Sequence, residues 1–211
     1  MPVAIQSGNR HDLHGSAPDT HHTCLLLIDV INDFEFPRGD ELWEKAKCIG
    51  PRIAALKKRV RDAGIPCLYV NDNFGRWRSS LKDIVERGTR PEARGREFVS
   101  LLKPEDDDYF VLKPKHSGFY QTPLELLLKH LGAERLILTG VSSNSCVLFT
   151  ANDAYMRDLE LVVPEDCIGA CTPDEHRFAL DQMLHMLKAD TTASTELDVK
   201  SLAAVRSDAD H

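Results

Sequence analysis

The chain predicts a three-layer α/β/α fold on a mainly parallel, Rossmann-like sheet of about six strands. Three features carry this expectation. Short, almost unbroken apolar runs recur along the chain, as strands buried on both faces require. Segments with apolar residues at helical spacing separate them. Gly, Pro and polar clusters punctuate the joins. Strands that alternate with helices in this way form parallel sheets with helices on both faces.

The elements follow in order. Residues 1–22 are polar and rich in His, Gly, Asp and Ser, and are read as a mobile arm. The remaining residues, 23–211, form one domain, a length that suits a single hydrophobic core. The first strand is residues 23–30, apolar until Asp29. Ile49, Ile53, Leu56 and Val60 define a helix over residues 41–63, ended by Gly64. Residues 65–70 form the second strand, residues 71–77 a loop. Short helices are expected at 81–87 and 93–101. The third strand, 109–112, follows an acidic turn. Thr122 and Pro123 start a helix to residue 131. The fourth strand is 135–139. Asn144 and Ser145 are suitable caps for a helix to residue 157. A fifth strand at 160–163, a helix at 173–187 and a short strand at 191–194 complete the domain.

Composition narrows the function classes. Net charge is −7, with 33 acidic against 26 Lys and Arg residues. Nucleic acid is a poor partner for such a chain. The basic residues from Arg76 to Arg96 are interrupted by acids and read as a solvated face. No apolar run reaches membrane-spanning length, so no membrane partner is expected. The amino-terminal residues lack the apolar core of a signal peptide, and a cytoplasmic location is expected, with thiols reduced. Six cysteines form neither a compact disulfide framework nor a recognisable zinc set. Cys24 and Cys67 lie in apolar runs and are expected in the core.

Three chemically capable residues fall at or just beyond carboxyl ends of predicted strands, where functional groups gather in such folds. They are Asp29, Lys113 and Cys146. Cys146 follows a strand and a Gly-containing turn, in the first turn of a helix. Unpaired backbone N–H groups and the helix dipole favour a thiolate there. An inert buried cysteine is the alternative. A carboxylate, a cation and a thiol together suit acyl transfer at sulfur.

The segments Leu-Leu-Leu-Ile-Asp29-Val-Ile-Asn-Asp33-Phe34, Val-Leu-Lys113-Pro-Lys-His-Ser117-Gly-Phe119-Tyr-Gln-Thr122 and Leu-Thr-Gly-Val141-Ser142-Ser-Asn-Ser-Cys146-Val-Leu-Phe-Thr150 resemble the isochorismatase-like cysteine hydrolases. That family includes nicotinamidases, N-carbamoyl amidases and related amide hydrolases. The later Val-Val-Pro-Glu-Asp166-Cys-Ile-Gly-Ala also fits, and the likeness spans about residues 23–195. The resemblance implies a catalytic triad of Asp29, Lys113 and Cys146, with Lys115 as the competing lysine. It also implies a cis peptide between Val141 and Ser142, and backbone N–H groups there and at Cys146 that hold an oxyanion. The family's common Gln is replaced by Ile31. The loop at 71–77 lacks the histidine of the nicotinamidase metal cluster, so neither a metal nor another cofactor is expected. Asp72 alone is a weak ligand candidate.

The implied activity is cleavage of a C–N bond in a small amide or ureido substrate through a cysteine thioester. Phe34, Phe36, Phe74, Trp77, Phe119 and Tyr120 are candidate pocket walls. The family also suggests a homo-oligomer. Two alternatives share the fold. Vinyl ether hydrolysis needs an acid and a water but no thiol. A redox sensor would oxidise Cys146 reversibly, though no resolving cysteine is evident.

Overall fold

A computed structural model describes residues 20–75, 78 and 80–204. Its sheet has six strands, all paired in parallel: β1 (Thr23–Ile28), β2 (Cys67–Asp72), β3 (Tyr109–Lys113), β4 (Arg135–Val141), β5 (Glu160–Val162) and β6 (Ile168–Gly169). The order is β3-β2-β1-β4-β5, with β6 on the carboxyl end of β4. The connections are α1 (Gly39–Asp62), α2 (Leu81–Gly88), α3 (Arg96–Leu101), α4 (Leu124–Leu131) and α5 (Leu148–Tyr155), followed by α6 (Pro173–His185) and α7 (Val199–Ala203).

Alternation along β1 shows how the layers form. Leu25 and Leu27 join one buried cluster with Ile49, Ile53 and Val60 of α1. Cys24, Leu26 and Ile28 join a second with Leu128 of α4, Ala151 of α5 and Met183 of α6. Successive strand residues point to opposite faces, so one apolar run supplies both cores. Each buried Leu or Ile stabilises the fold by roughly 1.5–3 kcal/mol.

The sequence-based strands and helices lie in place, with three differences. Residues 191–194 form no strand; the nearby pairing is a single bridge between Val162 and Asp190. β6 and α7 were not anticipated. Ser143–Val147 is a π-helical turn ahead of α5, preceded by Ser142, and no side-chain cap hydrogen bond opens it. Asn144 Oδ1 instead meets the Ser142 hydroxyl. At the amino-terminal end, the His21 N–H donates to the Leu131 carbonyl at 2.7 Å, and His22 contacts Glu134 at 3.3 Å. Residues 1–19 of the expected arm lie outside the described residues.

Neighbouring strands on either side of β1 are reached by connections in opposite directions, which opens a crevice at the carboxyl edge between β1 and β4. Gly140 lets the two strands close there. Its φ is +113°, and a Cβ would sit 2.0 Å from the Ile28 carbonyl oxygen.

Candidate active site

Asp29 immediately follows β1, Lys113 ends β3 and Cys146 lies in the π-turn after β4. The fold brings all three together at the carboxyl edge. Lys113 is fully buried, an unusual position for a lysine without partners. Its Nζ lies 2.8 Å from Asp29 Oδ2, 3.4 Å from Asp72 Oδ2 and 3.4 Å from Cys146 Sγ. It also donates to the Lys115 carbonyl at 3.2 Å. Lys115, the competing lysine of the sequence reading, is exposed and offers this backbone oxygen instead.

Asp29 has φ +51°, outside the regions most side chains prefer. Its Oδ1 accepts from the Asp72 N–H at 2.6 Å. The Asp72 carboxylate in turn accepts from the Phe74 N–H at 2.5 Å. The segment after β1 is held by Asn71, whose side chain receives the Ile31 N–H at 3.0 Å and donates to the Ile31 carbonyl at 2.9 Å. The Ile31 side chain is wholly buried. Two loops are thus tied by backbone-directed bonds, which positions the carboxylates without long, mobile side chains.

Burial raises the Asp29 carboxyl above its ordinary value, against the opposing pull of Lys113, Cys146 and the Asp72 N–H. Burial opposes the Lys113 charge, but Asp29, Cys146 and Asp72 outweigh it and keep the ammonium protonated. Burial pushes the Cys146 thiol up to about 12, aided by Asp29 and resisted by Lys113. The helix position favours a thiolate, and the surroundings of the sulfur oppose it. The π-turn places the sulfur beside a carboxylate in a desolvated site, and these effects exceed that of the helix end. The arrangement is therefore a thiol beside a carboxylate of raised basicity, next to a fixed cation.

The peptide between Val141 and Ser142 is cis. Asp72, weighed earlier as a metal ligand, faces Lys113. Among the described residues no group of three or more His, Cys, Asp or Glu is arranged to hold a metal ion.

The aromatic candidates separate. Phe34 is fully buried, with its ring 5.5 Å from Trp43 and 5.6 Å from Phe98; it is a core residue rather than an open wall. Phe119 is also buried, and the Arg157 guanidinium lies 4.7 Å from its ring. It borders a groove with Leu128, Ala133 and Leu159 that contains none of the triad residues. Phe36 and Tyr120 are exposed. Phe74 is half-buried beside Arg87, 5.4 Å from the ring. Trp77 lies outside the described residues.

His116 was missed in the sequence. Its Nδ1 stands 3.8 Å from Cys146 Sγ and 3.3 Å from Ser145 Oγ. The available signal was its place in the segment between Lys113 and Ser117, three residues after the buried lysine.

A family model for the isochorismatase domain matches residues 23–196. The chain is 41% identical over 174 residues to the isochorismatase family protein YaaI of Bacillus subtilis, a match covering 82% of this chain and 95% of that protein. It is 31% identical over 190 residues to the ureidoacrylate amidohydrolase RutB of Methylobacterium radiotolerans, across 78% of this chain and 74% of that one. The solved N-carbamoylsarcosine amidase of Thermoplasma acidophilum superposes with a TM-score of 0.64 at 26% identity, over 83% of this chain and 98% of that chain.

Proposed function

Because the chain belongs to the isochorismatase family, we propose that it is a cysteine hydrolase that cleaves a C–N bond in a small amide or ureido substrate. One observation carries the reading. Lys113 Nζ lies within 3.4 Å of the Cys146 sulfur and 2.8 Å of Asp29. The names of two similar proteins, a ureidoacrylate amidohydrolase and an N-carbamoylsarcosine amidase, support a ureido or carbamoyl group in the substrate.

In the proposed cycle Asp29 accepts the Cys146 proton as sulfur attacks the carbonyl carbon. Lys113 offsets the negative charge that passes between carboxylate and sulfur. The backbone N–H groups of Ser142 and Cys146 hold the oxyanion, each donor contributing about 3 kcal/mol to the transition state. The intermediate collapses, the C–N bond breaks and the amine leaves with the proton from Asp29. Asp29 then takes a proton from water, whose oxygen attacks the thioester. Sulfur leaves and regains its proton. Phe74 and Trp77 are proposed pocket walls.

The test measures ammonia or amine release from simple amides, N-carbamoyl amino acids and nicotinamide. Wild type should turn over at least one ureido or amide compound, and Cys146→Ala should lose activity about a thousand-fold or more. Full activity in a clean Cys146→Ala preparation would sink the thioester route. Turnover of a vinyl ether such as isochorismate, with no amide cleaved, would replace this reading with the other chemistry of the fold.

A further inference from the structure

Asp29 and Lys113 are buried against the triad sulfur, so a substrate must meet Cys146 from another side. His116 also flanks the sulfur. It is exposed, with Nδ1 3.8 Å from Cys146 Sγ. Nδ1 also lies 3.3 Å from Ser145 Oγ, and the imidazole sits 5.4 Å from the Phe149 ring. Nε2 has no hydrogen-bond partner among the described residues.

The backbone around His116 is fixed from both ends. Before it, the Lys115 carbonyl accepts from buried Lys113 Nζ. After it, Ser117 Oγ bonds to Asp153, and the Gly118 N–H donates to Thr150 Oγ1 at 3.0 Å. These anchors join the segment to β3 and α5, the elements that flank the site. A polar ring held beside a nucleophile, with one nitrogen engaged and the other free, is suited to orient a substrate.

We propose that His116 is a specificity-determining residue whose free Nε2–H hydrogen-bonds an acceptor oxygen carried by the substrate next to its reacting carbon. The acceptor is a carboxylate or a neutral carbonyl. The inference rests on the cysteine-hydrolase reading, because it treats Cys146 as the attacking atom. It goes further by assigning the substrate class: small molecules with such an oxygen, in preference to purely apolar ones. His116 pairs with Ser145 through Nδ1, which leaves the proton on Nε2 when the Ser145 hydroxyl donates.

Alkylation of Cys146 tests this without a known substrate. Iodoacetate carries a carboxylate, iodoacetamide a neutral carbonyl, and allyl bromide neither. Second-order rates are read by intact mass for wild type, His116→Phe and His116→Gln. Phe keeps an aromatic ring beside Phe149 but removes the donor, whereas Gln retains an N–H. His116→Phe should slow iodoacetate, iodoacetamide or both at least fivefold and change allyl bromide less than twofold. His116→Gln should recover part of the loss. Slowing of iodoacetate alone identifies a carboxylate; slowing of both extends the class to neutral carbonyls. Equal changes for all three reagents, or none, would overturn the role of His116. The absence of amide turnover in wild type overturns the hydrolase reading instead, since the alkylation rates do not depend on turnover.

Discussion

Asp29, Lys113 and Cys146 share two protons among three groups that are each poorly solvated. Buried charges survive only when paired, and the 2.8 Å contact between Lys113 and Asp29 provides that pairing. The pH profile follows from the shifts. Asp29 must be ionised to accept the thiol proton, and burial raises its pKa. Activity should therefore fall on acidification at a higher pH than an ordinary aspartate would give. The thiol, at about 12, should add no ionisation step at neutral pH. A kcat/KM profile against pH reads both. An acid limb at or below the ordinary aspartate value, or a thiolate absorbance already present at pH 7, would contradict this account. The three candidates were legible in the sequence because Asp29 and Lys113 close apolar runs and Cys146 follows another across a Gly-containing turn. The upward pull on the thiol was not, because a helix-end argument leaves out the burial and the neighbouring carboxylate that appear with the fold.

At the scale of elements, long signals were legible and short ones were not. The apolar run of β1 and the Ile49, Ile53, Leu56 and Val60 repeat of α1 state their own period. β6 has two residues, Ile168 and Gly169, too few to show any period. The π-turn at Ser143–Val147 differs from an α-helix by one residue in its hydrogen bonding, which side-chain pattern does not encode. Gly140 marked a turn in the sequence, but its tight contact with β1 appears only once the strands pair. Gly140→Ala should lower stability by at least about 2 kcal/mol and shift Cys146 relative to Asp29. Chemical denaturation reads the first effect, and the rate of Cys146 alkylation the second. An Ala variant as stable and as reactive as wild type would contradict the assigned role of this contact.

Across the whole molecule, one sheet divides two hydrophobic clusters and carries the site at its carboxyl edge. The opposite end of β2 and β3 has its own ion pairs on a buried carboxylate: Lys57 Nζ lies 2.7 Å from Asp108, and Arg61 binds the same carboxylate at 2.6 Å. None of these was singled out in the sequence, because acidic turns and helical Lys and Arg usually face water. Among the described residues no helix is long and apolar enough to cross a membrane. Phe149 of α5 and Phe178 and Leu184 of α6 are exposed, and a homo-oligomer remains the proposed solution state. Sedimentation velocity at micromolar concentration should show a species of at least twice the monomer mass, and a monomer throughout would contradict that proposal.

Cys146 is proposed to form a covalent acyl intermediate. The most direct measurement is intact mass after rapid acid quench of wild type and Cys146→Ala mixed with the compound that releases most ammonia. Wild type alone should gain the mass of the acyl or carbamoyl group, mapped by peptide digestion to Cys146 and lost as product forms. Turnover with no adduct at any quench time, or an adduct that persists in Cys146→Ala, would contradict it.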